Sequence, residues 1–339
     1  MVGPRDLYIS DANFGMYTQD AEKTRILSDC QRLYNYPNYI HVSTGKNKKE
    51  RVINMVKELN GAISMAASLQ STNKNVLENI QRSNISLEKL SGAAKMANTN
   101  EMGTYSEIIL GLPGDSLLVH TQSLRDTVEM EFDNIRMYQL IMLPQTLLNT
   151  ADKRKCYNMK TKYRIMPRSF GKYHLANESF TAGESEEILV SNSTLPFDDY
   201  ITCRELDLTV EILHNGRVFE ELQGLCKSLD VLWFDFMLYF FDRRREQTHG
   251  ITKMYDDFKI GTSAMLWDNE ADLSKYVRSN INNMLKDKKG VNEMSSGKAT
   301  AFFMLFEDMN NAIFNLMRNW LISLKKYDDV MASYLNDLE

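Results

Sequence analysis

Between residues 7 and 147 the chain alternates short apolar runs with longer amphipathic segments, and this limits the folds open to it. The runs are LYIS (7–10), YIHVS (39–43), AISMAA (62–67), EIIL (107–110) and MYQLIM (137–142). Their length and apolar content predict strands. Between them AEKTRILSDCQRLYN, KERVINMVKELN, NVLENIQ, SLEKLSGAAKMAN and SLLVHTQSLRDTVEMEF carry apolar residues at helical spacing. Strand then helix, repeated about every thirty residues, predicts a parallel sheet with right-handed crossovers.

The residues just past each run bear on function. After LYIS come Asp11, Asn13 and Gly15; after YIHVS come Thr44, Lys46 and Asn47. AISMAA is followed by Ser68, Gln70, Ser71 and Asn73, and MYQLIM by Pro144, Gln145 and Thr146. Parallel α/β folds build their active sites at these strand ends. Turns and helix caps collect the same residue types, so both readings stand. Capping accounts poorly for Gln70, which lies between a small-residue strand and the next helix.

EIIL leads into GLPGDS (111–116). A Walker-type phosphate loop needs a Lys after its last Gly and a longer spacing, and this stretch has neither. Pro113 fixes one φ, while Gly111 and Gly114 reach backbone conformations closed to other residues. The stretch is open to two readings, a plain strand-to-helix corner or a turn whose backbone meets a flat ligand.

Composition narrows the partners. The net charge is −5, without the basic footprint of a nucleic-acid binder. GKNKKER (45–51) and DRRRE (242–246) read as solvated faces. No apolar run has the roughly 18 residues a membrane span needs, and the N-terminus shows no signal-peptide pattern. The expected location is cytoplasmic. Cys30, Cys156, Cys203 and Cys226 are scattered, with no metal-ligand spacing; the expectation is free, mostly buried thiols and no metal residues.

Taken in order, DANFGM (11–16), SLQSTNKNVLENI (68–80), EIILGLPGDS (107–116) and YQLIMLPQT (138–146) resemble successive barrel strands of radical S-adenosylmethionine enzymes. The likeness is to the subgroup with a cobalamin-binding domain upstream. RIMPRSFGKY (164–173) and EEILVSNSTLPFDDYI (186–201) resemble the start of its C-terminal region, so the likeness runs over roughly residues 5 to 205. The implied fold is α/β: a partial (βα)6-type barrel of five parallel βα units, the first unit missing, then an α-helical C-terminal domain. The implied boundaries are 1–147 for the barrel, 148–204 for a connector with extended segments, and 205–339 for the helical region.

The resemblance also implies a site. Asp11 and Asn13 would hold the amino group of S-adenosylmethionine, and Ser68 and Gln70 would approach its ribose and carboxylate. Ile109, Leu110 and Gly111 would lie by the adenine, with Leu143 and the strand from Gln139 packing further on it. Lys46 and Asn47 would face the cavity. The family's chemistry also needs a [4Fe–4S] cluster on a CxxxCxxC loop, and in this subgroup cobalamin. This sequence holds no such loop. It therefore reads as the C-terminal portion of a longer radical enzyme, inactive alone, needing a missing N-terminal half or partner chain and acting on an unidentified small molecule by methyl transfer or radical rearrangement. The alternatives are a non-catalytic binding or scaffold subunit pairing through its open barrel edge, and a metal-free lyase or aldolase with an acid/base pair among Asp11, Lys46, Gln70 and Asp115.

Past residue 204 the expectation is helix, with Trp233, Phe234, Phe236, Tyr239, Phe240 and Phe241 forming a core stripe rather than a pocket.

Overall fold

The computed structural model describes residues 5–44, 48–63, 65–82, 92, 103–286 and 292–339. It is mixed α/β, with parallel strand pairs and many helices. Two compact units divide it. One comprises the described residues of 1–72, 83–108 and 126–136, and the other those of 73–82, 109–125 and 137–339.

In the first unit, strand β1 (Asp6–Tyr8) pairs in parallel with β2 (Tyr39–His41). A parallel bridge from Phe14 to Thr44 extends the pair. Helix α1 (Asp20–Tyr34) joins the two strands, and α2 (Lys49–Glu58) comes after them. Val52, Met55, Val56 and Leu59 recur at helical spacing on the α2 segment. They bury with Phe14, Ile40 and Ile63 as one apolar cluster.

Strands β3 (Met65–Gln70) and β4 (Thr104–Leu110) also pair in parallel, and β5 (Asn134–Gln139) completes the order β3-β4-β5. All five expected strands are present in order, but β3 lies three residues later than AISMAA, which puts Ser68 and Gln70 within the strand rather than after it, and β5 lies three residues earlier than MYQLIM. The segment SLEKLSGAAKMAN lies outside the described residues, Gly92 apart. Helices α3 (Lys74–Asn79) and α4 (Leu117–Glu129) come after β3 and β4.

The second unit departs from expectation at residues 160–191. In place of a connector with short extended segments, they form a long antiparallel hairpin, β6 (Lys160–Leu175) and β7 (Glu178–Ser191). Helix α5 (Ala151–Cys156) precedes it, and Arg154 grips Glu187 on β7 through two bonds of 2.8 and 2.7 Å. Much of the hairpin is open to solvent, so its residues need not alternate cleanly between apolar and polar, and the usual sequence signal is weak. The base of β7 instead pairs with the chain beyond β5, Leu189 N–H donating to Leu140 O at 2.9 Å.

Helix α6 (Phe197–Leu213) is buried on nearly every side. Its buried charged groups are partnered. Arg204 meets Asp207 at 2.9 Å, and Glu205 meets Arg244 at 3.0 Å and Arg245 at 2.6 Å. Asp207 also accepts from His120 of α4 at 2.7 Å. Such burial is tolerated only because each charge is paired. Around α6 lie α7 (Glu220–Ser228), α8 (Trp233–Arg243), α9 (His249–Ala264), α10 (Glu270–Lys286), α11 (Glu293–Phe303), α12 (Phe306–Ser323) and α13 (Asp329–Leu338).

The aromatic stripe on α8 is core. Trp233, Phe234, Phe236, Phe240 and Phe241 are all buried, and Phe236 packs on Trp233 and Trp320 with ring centroids 5.4 and 5.6 Å apart. The thiols divide more evenly than expected: Cys203 and Cys226 are buried, Cys30 half-buried and Cys156 exposed.

This packing generates two tests. Phe236→Ala leaves a cavity between two tryptophans and is expected to cost about 3–5 kcal/mol in denaturant unfolding. An unchanged midpoint would place the stripe outside the core. The second concerns His120. Burial disfavours its charge, but Asp207, with a further contribution from Asp115, outweighs burial and the opposing Arg204, and raises its pKa above the ordinary 6.5. A raised folded pKa gives stability that is complete below the ordinary value and is lost as pH climbs through the folded one. As pH rises above the ordinary histidine value the wild type should therefore lose stability relative to His120→Gln. Parallel pH profiles for the two proteins would refute the ion pair.

Candidate functional site

The loop after β1 is built by DANFG. The Asp11 carboxylate accepts the Asn13 N–H at 2.8 Å, a local turn in which Asp11 is half-exposed and Asn13 half-buried. Phe14 turns into the core. Gly15 has φ +83°, and a Cβ there would stand 2.8 Å from Met55. Only glycine suits both demands. Buried Asp20, at the head of α1, accepts the Gly15 N–H at 3.0 Å and the Tyr17 N–H at 3.1 Å, with Lys23 at 2.9 Å. Burial pushes the Asp20 carboxyl up, but Lys23 and these N–H donors prevail and hold it below the usual range. The loop is rigid where it must turn and polar where it faces outward.

At the end of β3, Gln70 is half-exposed and Leu69 before it is buried. Ser68 Oγ donates to the carboxylate of Glu107 on β4. Gln70 has φ +65° at an irregularity in the β3–β4 register. That conformation is uncommon for a residue with a side chain; Gln70 still pairs with Ile108, and the register shifts between Ala67 and Gln70. Asn73, by contrast, is a helix cap, accepting the Val76 N–H of α3 at 3.1 Å. The site and corner readings therefore divide residue by residue.

Three further residues of the first unit, Tyr105, Glu107 and Arg136, have no role that sequence alone assigns. Tyr105 and Glu107 are half-exposed on β4 while Thr104, Ser106 and Ile108 are buried. Arg136 on β5 is exposed and stands over the Tyr105 ring at 3.9 Å. The signal is period-two alternation in TYSEIIL, hidden because only its last four residues read clearly as strand.

The GLPGDS turn belongs to the second unit. Gly111 has φ +93°, and a Cβ on it would lie 2.7 Å from the Leu189 side chain. Asp115 accepts the N–H groups of Gly111 at 2.9 Å and Ser116 at 3.0 Å. Burial pushes its carboxyl up, against His120 and these two N–H donors. Asn192 donates to the carbonyls of Gly111 and Leu112, each at 3.3 Å. Both carboxylate oxygens of Asp115 are thus engaged by the turn, so the lyase reading finds no free acid there. Leu110 is fully buried, and Ile109 packs partly buried against Leu112, Leu140 and Met142. Leu143 is 55% exposed beyond β5. Lys46 and Asn47 lie outside the described residues.

Among the described residues no three His, Cys, Asp or Glu side chains gather as a metal site, and no helix is long and apolar enough to cross a membrane. The side chains present do not fit an iron–sulfur cluster, which needs clustered thiolates. The polar strand ends do fit a ligand rich in hydroxyl, amino and carboxylate groups.

No protein-family model matches the chain. Curated relatives do. The chain is 30% identical over 217 residues to 2-(S-pantetheinyl)-carbapenam-3-carboxylate methyltransferase of Streptantibioticus cattleyicolor. It is 29% identical over 217 residues to the cobalamin-dependent radical SAM methyltransferase TokK of Streptomyces tokunonensis. Each match takes in 62% of this chain and 31% of the relative. Two structures of the radical S-adenosylmethionine methyltransferase TsrM from Kitasatospora setae also overlay. One holds tryptophan substrate and a SAM analogue, and the other cobalamin and a [4Fe-4S] cluster. The TM-scores are 0.37 and 0.36 at 11% and 10% identity, over 49% and 51% of this chain and 33% and 32% of those. That overlap is too slight to bear on the fold. Through the curated matches, the chain is a relative of the cobalamin-dependent radical S-adenosylmethionine methyltransferases and spans about a third of their length.

Proposed function

We propose that the chain is the part of a cobalamin-dependent radical S-adenosylmethionine methyltransferase that holds S-adenosylmethionine and its acceptor, its five βα units forming most of a (βα)6-type barrel. The carrying observation is the 217-residue similarity to two such methyltransferases. The polar residues at the ends of β1 and β3 agree with it.

Asp11 and Asn13 offer carboxylate and amide oxygens to the cofactor's amino group. Ser68 and Gln70 offer hydroxyl and amide groups to its ribose and carboxylate. Ile109, Leu110, Gly111 and Leu143 belong to the second unit, where the Gly111 carbonyl accepts from Asn192 and the Leu110 side chain is buried, and they form no part of this proposal. The cluster and cobalamin would supply radical generation and methyl transfer from a further stretch of polypeptide. This chain's own work is binding, orientation and exclusion of water.

A second reading is a non-catalytic subunit that pairs through β1. Among the described residues the outer edge of β1 has no strand partner, and Tyr8 beside it is 74% exposed. Unpaired edges recruit strands.

Calorimetry with S-adenosylhomocysteine separates the two. Saturable binding is expected, weakened roughly tenfold or more by Asp11→Ala or Asn13→Ala. A chain that binds no S-adenosylhomocysteine leaves the pairing reading. Anaerobic reconstitution should leave the chain without a stoichiometric four-iron cluster, and reductive cleavage of S-adenosylmethionine by such a preparation would contradict the assignment of the cluster elsewhere.

A further inference from the structure

Alternation along β4 sorts its side chains onto two faces. Thr104, Ser106 and Ile108 are buried; Tyr105 and Glu107 are half-exposed on the other side. Ser68 of β3 joins this second face through its bond to Glu107. Arg136 of β5 joins it through Tyr105, its guanidinium 3.9 Å from the ring centroid.

The geometry is fixed from the backbone. Thr104 N–H and Oγ1 donate to the Asp133 carboxylate at 2.7 and 3.0 Å, and Asp133 N–H donates back to Thr104 Oγ1 at 2.9 Å. This reciprocal clamp ties the first residue of β4 to the residue before β5. Tyr105 follows Thr104 directly and Arg136 is the third residue after Asp133, so the clamp lies close to the ring and cation on both strands.

Among the described residues no carboxylate stands within ion-pair distance of Arg136. Several other arginines do meet a carboxylate: Arg154 meets Glu187, Arg204 meets Asp207 and Arg244 meets Glu205. A guanidinium stacked on an aromatic ring has one flat face occupied and its in-plane N–H donors free. That fork suits a carboxylate bidentately. Glu107 on the same face repels a second anion and accepts donors, so a ligand there has one orientation.

We propose that Arg136, held on Tyr105, recognises the carboxylate of a small molecule bound against this face, with Glu107 and Ser68 meeting its donor groups. The proposal rests on the proposed function for its two candidate ligands, the cofactor and the methyl acceptor. The carboxylate has two sources, the methionine end of the cofactor or the methyl acceptor.

Two probes distinguish them, S-adenosylhomocysteine and 2-(S-pantetheinyl)-carbapenam-3-carboxylate, titrated by calorimetry into wild type, Arg136→Gln and Arg136→Lys. Arg136→Gln is expected to weaken one probe by roughly ten- to a hundredfold. Arg136→Lys should recover part of that loss, because it restores the charge without the fork. The exposed position of Arg136 predicts an unchanged unfolding midpoint in both variants. Loss confined to S-adenosylhomocysteine assigns the cofactor's carboxylate, and loss confined to the carbapenam assigns the acceptor's. If every probe that binds wild type binds Arg136→Gln equally, the carboxylate site is wrong and the cofactor reading survives. If wild type binds only the carbapenam, and through Arg136, the cofactor reading fails and the site stands. Binding of neither probe overturns both.

Discussion

Four consecutive carbonyls of the corner after β4 are hydrogen-bonded within the protein. Leu110 O accepts from Leu140 N–H, and Gly111 O from Asn192. Leu112 O accepts from Asp115 N–H and Asn192, and Pro113 O from Asn79. Buried backbone groups must be paired, and here the partners come from α3, from the chain beyond β5 and from the residue after β7. The second unit is organised around that corner. Leu189 fills the space where a Gly111 side chain would stand, so the hairpin base and the end of β4 fix each other. This is why the corner takes glycine, proline and an acid in that order.

The same corner separates what the residues disclosed from what they did not. Strand and helix order was legible because period and turn chemistry act locally: VINMVKEL gives α2 its apolar stripe, and each of five apolar runs overlaps one of five strands, two of them displaced by three residues. The purpose of GLPG was not legible. Asn192, Thr194 and Leu189 are about eighty residues downstream in sequence, and no spacing rule connects them. Thr194 Oγ1 closes the arrangement by donating to Asp115 O at 2.5 Å. The hairpin was missed for a related reason. Only part of it is covered, by Val277 and its neighbours on α10, with Tyr163, Ile165 and Phe170 packed beneath. Apart from the buried base of β7 at Ile188, Leu189 and Val190, most other strand residues are exposed or half-exposed and carry no clean alternation.

Helix α6 shows the opposite case, where composition misleads. Arg204, Glu205 and Asp207 within one turn look like a solvated face, yet all three are buried. They are legible only as a set with His120, Glu293, Arg244 and Arg245, which arrive from other helices and from the residues just after α8. Pairing of this kind contributes little net stability compared with apolar packing. It does restrict which helices sit beside which, because any other register would strand a charge.

The strand ends and the sheet face ask for different chemistry. At Asp11, Asn13, Ser68 and Gln70 the side chains are short and polar, set on turns whose geometry is fixed by Gly15 and by the backbone of Gln70. Tyr105, Glu107 and Arg136 are long and lie along the strands, where register rather than loop conformation sets their separation. Asp11 and Asn13 follow β1 of the β1–β2 pair, whereas Ser68, Gln70, Tyr105, Glu107 and Arg136 belong to the β3–β4–β5 sheet, so loop chemistry sets the first group and strand register the second.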